Sequence, residues 1–264
     1  MSFQPVIPLP GLAGWSFLQR TKDRQEQSFT KSNPIRREIE YFEKNFAKIE
    51  SAEDLVNDRR LLRVVLGAFG LQDDIDYRAF IRKILEGGTD NPSALANRLS
   101  DTRYRAFAKA FGHLSMTQSA ETAVSMQQSQ IISQYISRSF EISVGSQNET
   151  MRLALSLQRD LPELVDNFST EKAQWFALLG NPPIRKILET AFGLPKEFGL
   201  LPIDDQYTRL RDSAIKLFGT ADLKIISEPD GLARLTERLL LMSEIREIRA
   251  MASSAATALF LLQS

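Results

Sequence analysis

Cysteine is absent from the 264-residue chain, and histidine occurs once, as His113. The first absence excludes disulfides, thiolate metal ligands and cysteine nucleophiles. The second excludes a histidine-rich metal site and any mechanism that needs two imidazoles. An excess of one charge is missing too: 33 Lys and Arg balance 33 Asp and Glu. Proteins that grip phosphate backbones usually carry a basic surplus, so no nucleic-acid partner is expected. Long apolar runs are also lacking. The most apolar stretch, MASSAATALFLL at 251–262, is shorter than the roughly 20 residues that a membrane-spanning helix needs, and no membrane span is expected. The start, MSFQPVIPLPGLAGW, lacks a basic segment and is interrupted by Pro5, Pro8 and Pro10, so no cleaved signal peptide is expected either.

What is present is a repeated pair. Phe-Gly occurs in LGAFGL at 66–71, KAFGHL at 109–114, TAFGLP at 190–195 and KLFGTA at 216–221. Each closes a stretch with helical periodicity. The phenylalanine is the last buried aromatic of a helix, and the glycine takes the left-handed conformation that only glycine adopts cheaply. Gly87 and Gly180 are expected to end helices in the same way. Helix starts follow a matching grammar: Asn33 with Pro34, Asn91 with Pro92, Asn181 with Pro182, and Ser51 with Asp54 at capping-box spacing. Strand patterns are not evident.

These signals predict an all-α protein of many short, glycine-capped helices. Residues 1–31 are expected to form a partly ordered N-terminal arm, pinned by Trp15 and Phe17. A first helical half spans 32–114, linking helices 115–168 and a second helical half 169–264, together one compact unit. The linking region opens on a stretch, 115–134, in which 12 of 20 residues are Ser, Thr or Gln. With neither Gly nor Pro in it, a helix is allowed there. The two halves are related in their buried positions. LLRVVLGAFGL at 61–71 aligns with IRKILETAFGL at 184–194, through Leu61–Ile184, Val65–Leu188, Phe69–Phe192 and Gly70–Gly193. Duplication and convergent helix grammar both account for this.

The last helix is expected to be long. Leu232, Leu235, Leu239 and Met242 step by 3, 4 and 3, and Ile248, Ala252, Ala255, Leu259 and Leu262 step by 4, 3, 4 and 3. Such a seam calls for a partner helix, in this chain or in another. These five residues, 248 to 262, are the candidate partner-binding site, with a homo-oligomer among the arrangements allowed.

Nothing comparable points to catalysis. Phosphate-loop, dinucleotide-binding and nucleophile-elbow motifs are all missing, and no cofactor, metal or enzymatic activity is expected. The carboxylates of DDIDYR at 73–78 and IDDQY at 203–207 are read as helix-start residues that favour the positive end of the dipole. NDRRLLR at 57–63 is read as a solvated basic face, and His113 as a surface or capping residue.

The segments DLVNDRRLLRVVLGAFGL, RAFIRKILEGGTDNPSALANRLSDTRYRAFAKAFG and RKILETAFGL resemble an uncharacterised, mainly alphaproteobacterial family of unknown function, over roughly residues 35–250. Genes of that family are often found with flagellar genes. The resemblance therefore implies a non-enzymatic structural or assembly protein of the bacterial flagellum, with a flagellar component as partner. It would be cytoplasmic, or exported to the flagellum without a cleaved signal peptide. The alternative is a cytoplasmic helical adaptor or regulator that binds a flagellar or secretion protein. The family brings no catalytic residues with it.

Overall fold

A computed structural model describes residues 3–112 and 121–263, with side chains for all of these except 121–126, 196 and 251–263. Among the described residues there are fourteen α-helices and no strand, which is the all-α fold that the capping grammar predicts. The chain forms two compact units. One comprises Met1–Val6 and Thr21–Val144, the other Ile7–Arg20 and Gly145–Ser264. The divisions expected from sequence fall at 31, 114 and 168, whereas the units change over at 6, 20 and 144. His113 lies outside the described residues.

The first difference from expectation is at the N-terminus. Residues 11–30, expected to belong to an arm, form helix α1 (Gly11–Thr30). Its buried side chains are sparse: Trp15, Leu18, Gln25 and Phe29. Gln25 makes up for the scarcity of apolar groups with polar ones. Its Oε1 accepts from the Val6 amide at 2.7 Å, and its Nε2 donates to the Val6 carbonyl at 3.1 Å. One glutamine thus satisfies both backbone groups of a residue in the segment ahead of the helix.

The first unit continues with α2 (Asn33–Asn45), α3 (Ala52–Asn57), α4 (Arg59–Phe69), α5 (Arg78–Gly87), α6 (Leu95–Arg98), α7 (Thr102–Ala110) and α8 (Glu121–Gly145). Its core gathers Phe42, Phe46, Leu55, Leu62, Leu66 and Phe107. Each such side chain contributes about 1.5–3 kcal/mol on burial. Ser51 and Asp54 form the expected capping box: the Ser51 hydroxyl accepts from the Asp54 amide at 3.1 Å, and the Asp54 carboxylate accepts from the Ser51 amide at 2.9 Å. Helices α3 and α4 follow each other with one residue between them. Asp58 stands between them in extended backbone, and its Oδ1 accepts from the amides of Arg60 at 2.9 Å and Leu61 at 3.1 Å.

The second unit contains α9 (Glu149–Asp166), α10 (Glu171–Leu179), α11 (Pro182–Ala191), α12 (Ile203–Phe218), α13 (Leu223–Ser227) and α14 (Pro229–Gln263). Helices α9, α11 and α14 pack on one another, around Leu155, Leu161, Ile184, Ile187, Leu188 and Leu239. Trp175, fully buried, donates its indole N–H to the Ala221 carbonyl at 3.1 Å. Helix α9 runs through Pro162.

Of the four Phe-Gly pairs, Gly70, Gly193 and Gly219 take the left-handed conformation expected, whereas Gly112 does not, and after α5 the positive φ falls on Gly88 rather than Gly87. The turns at Gly70 and Gly193 are alike in detail. Gly70 has φ 70°, with its amide on the Gly67 carbonyl at 3.2 Å and the Leu71 amide on Leu66 at 2.8 Å. Gly193 has φ 68°, with its amide on Thr190 at 3.0 Å and the Leu194 amide on Glu189 at 2.9 Å. These are the paired hydrogen bonds that satisfy the last carbonyls of a helix. Gly180 departs from the expectation: at φ −79° it continues the helical sense rather than reversing it.

Candidate functional site

Helix α14 divides along its length. In its first half one face is closed within its own unit: Leu235, Thr236, Leu239 and Leu240 are buried, and Leu232 and Met242 are half-buried. The seam from Leu232 to Met242 thus finds its partners in the same chain, on α9, α11 and α13. A second stripe, offset around the helix, is not covered. Leu241 is 46 % exposed, Ile245 39 % and Ile248 66 %. Singly exposed apolar side chains are ordinary, but these three are spaced by 4 and 3 and share one helix face.

The stripe leads into the predicted site. Ile248 is placed by the structure and is solvent-exposed. Ala252, Ala255, Leu259 and Leu262 lie within α14, and their side chains fall outside those described. Helical register puts all four on the line begun by Leu241 and Ile245. Those first two positions were missed in the sequence because Leu239, Leu240, Leu241 and Met242 form a continuous apolar run, in which no period can be read.

Arg246 orients this part of the helix. Its guanidinium donates to Thr190 Oγ1 at 3.0 Å and to the carbonyls of Glu189 at 3.1 Å and Leu194 at 2.9 Å. A cation on the Glu189 carbonyl, in the last turn of α11, complements the negative end of that helix and fixes the rotation of α14 one residue from Ile245.

The first unit holds an open cleft of about 570 Å³, lined by Tyr41, Asn45, Lys48, Asp54, Asp58 and Arg60 among others. The Tyr41 hydroxyl donates to Asp58 Oδ2 at 2.6 Å, and the Arg60 guanidinium lies 3.9 Å from the centre of the Tyr41 ring. That hydrogen bond to Asp58 is the main cause that raises the Tyr41 pKa above its ordinary value. A phenol held protonated is the reverse of an activated base. The basic run at 57–63 is paired off: Arg59 with Asp76 at 2.8 Å, and Arg60 and Arg63 with Glu38 at 3.3 and 3.8 Å. Chemically the cleft is a corner in which a cap, a phenol and an ion pair satisfy one another.

The carboxylate clusters are placed as the helix-start reading predicts or serve as acceptors. Asp204 and Asp205 occupy the first turn of α12, and Asp74 accepts from the Tyr104 hydroxyl at 2.7 Å. Among the described residues no group of three or more His, Asp or Glu is arranged to hold a metal ion, and no helix is long and apolar enough to cross a membrane.

Residues 68–232 match the model of a family described as protein of unknown function, DUF1217. The fold is similar to the crystal structure of protein AGR_C_984 from Agrobacterium tumefaciens, with a TM-score of 0.71 and 26% sequence identity over 92% of this chain and 99% of that one. No curated protein matches the chain.

Proposed function

From the premise that the chain belongs to the DUF1217 family of proteins of unknown function, we propose that it is a non-enzymatic structural or assembly protein of the bacterial flagellum, which binds another protein through the outer face of α14. The observation that carries the binding role is the stripe Leu241, Ile245 and Ile248, left open on a helix whose opposite seam is already closed within its unit. Burial of such side chains contributes about 1.5–3 kcal/mol each, enough for a few of them to change an affinity more than tenfold. The flagellar assignment rests on the gene neighbourhood that the family resemblance implies.

Cell fractionation tests the location: the protein is expected in sheared filaments or purified basal bodies. Recovery from the cytosol alone would replace this reading with that of a cytoplasmic adaptor. The double change Leu241→Ser and Ile248→Ser tests the surface. Because both side chains are substantially exposed, the melting temperature is expected to stay put while motility and association with the flagellum fall. Leu259→Ser with Leu262→Ser is expected to do the same. A melting temperature lowered by several degrees, with association intact, would return the helix to the core.

A further inference from the structure

We propose that the occupant of the α14 stripe is the same stripe of a second copy of this chain, the two helices running parallel as a short coiled coil over residues 241–262. This names the partner of the face described above and rests on that reading of it. The stripe keeps a strict alternation of 4 and 3 from Leu241 through Ile245, Ile248, Ala252, Ala255 and Leu259 to Leu262. That is the 3.5-residue repeat which makes two helices supercoil. It covers three heptads, about 33 Å of helix. Leu241, Ile248, Ala255 and Leu262 take the d positions, and Ile245, Ala252 and Leu259 the a positions. Leu241 at d and Ile245 at a are the combination that favours two strands. The alanines at 252 and 255 allow close approach.

Charge chooses both the partner and its direction. Glu244 falls at the g position before Ile245, and Arg249 at the e position after Ile248. In a parallel pair, g of one chain faces the e position five residues further along the other. Glu244 therefore meets Arg249 of the second copy, and the two-fold axis makes the pair twice. Antiparallel helices bring g against g and e against e, and neither charge then finds its opposite. Arg249 is exposed, and Glu244 is half-buried with its carboxylate beside Gly11. Exposed ion pairs add little affinity. The apolar layers hold the helices together and the charges set their direction.

The cysteine-free sequence makes the test direct, since any introduced thiol is the chain's sole thiol. Ile248→Cys in the full-length protein is expected to form a disulfide-linked dimer on mild oxidation, because d positions of parallel strands face each other. Glu247→Cys, one residue away on the outer side, is expected to link far less. Sedimentation equilibrium is expected to show a dimer of the unaltered protein. Arg249→Glu is expected to weaken it severalfold, and adding Glu244→Arg to restore it, with circular dichroism checking that each variant is folded. A folded monomer from micromolar to millimolar concentration would overturn the proposal, as would equal cross-linking at 247 and 248. The two readings fail separately. A monomer recovered in basal bodies sinks the dimer and leaves the flagellar role, whereas a dimer found only in the cytosol does the opposite.

Discussion

Two turns, one at Leu66–Leu71 and one at Glu189–Leu194, share their backbone and differ in what they bury. Both end a helix on a left-handed glycine with the same two hydrogen bonds. Around Gly70, Leu71 is the buried member at 2 % exposure, while Phe69 is only partly buried, edge-on to Phe107 and 6.3 Å from Phe111. Around Gly193 the roles reverse: Phe192 is 9 % exposed and Leu194 half-buried. Each turn also has an arginine on its terminal carbonyls, from a different source. Arg103 of α7 donates to the Gly70 carbonyl while Asp101 grips it at 2.6 and 3.0 Å. Arg246 of α14 serves the second turn from an exposed position. The lesson is that the local hydrogen bonding comes with the letters, whereas which apolar residue carries the energy is decided by distant neighbours.

The largest effect that would sharpen this contrast is at the leucines. Leu71→Ala is expected to destabilise by about 2–5 kcal/mol, and Leu194→Ala by clearly less, in chemical denaturation. Equal losses would break the comparison. The arginines come next. Arg103→Met removes a charged donor whose side chain is 24% exposed and is expected to cost about 1.5–3 kcal/mol. Arg246→Met, at a solvated site, is expected to cost about 1 kcal/mol or less. The glycines should then behave alike. At these positive φ values alanine costs roughly 1–2 kcal/mol, and the nearest atoms to an added Cβ are side-chain ends in both cases, Arg138 at 3.2 Å and Met242 at 3.0 Å. A several-fold difference between Gly70→Ala and Gly193→Ala would show that the two turns are not equivalent even locally.

The smallest effects depend on pH. The Ser51 hydrogen bond is the main cause that holds the Asp54 carboxyl below its ordinary value. A depressed folded-state pKa contributes stability above the unfolded value, and that contribution is lost as pH falls through the folded one. Ser51→Ala is expected to move the Asp54 titration upward in carbon-detected NMR and to flatten the acid side of the stability profile. Tyrosines give the opposite sign. Burial raises Tyr104 first and its bond to Asp74 second, while Tyr41 is raised mainly by Asp58. Their contributions are intact below pH 10 and lost as pH rises through the raised values. Tyr41→Phe and Tyr104→Phe should each remove a late component from the absorbance titration.

Much of the fold was legible because helix ends are written in single residues. Gly70, Gly193, Gly219 and the Ser51–Asp54 box each have a local physical cause, and each is where its letters place it. What was not legible depends on contacts far along the chain. Helix α1 has few apolar residues and is tied down through Gln25, whose partner Val6 no period announces. Asp58 divides 51–70 because its carboxylate caps α4, a role that sequence cannot distinguish from a surface charge on one long helix. Of the candidate site, the seam from Ile248 onward was readable from its spacing, but its start at Leu241 was hidden in an apolar run. That Leu235 and Leu239 face inward while Leu241 does not became visible only once α9 and α11 were in place.

Helix α1 belongs to both units, Gly11–Arg20 to one and Thr21–Thr30 to the other. On the ribosome this imposes an order of events. The segment Ile7–Arg20 is made before Thr21–Val144, yet the rest of its unit begins only at Gly145. Trp15 and Leu18 therefore stay without the rest of their unit until the residues from Gly145 onward have emerged. Ring closure over so long a stretch is entropically tolerable, but it is slow to search. Synthesis from the N-terminus lets Thr21–Val144 condense early, while the second unit closes afterwards, when the residues from Gly145 onward meet a strip of chain made before the first unit was complete.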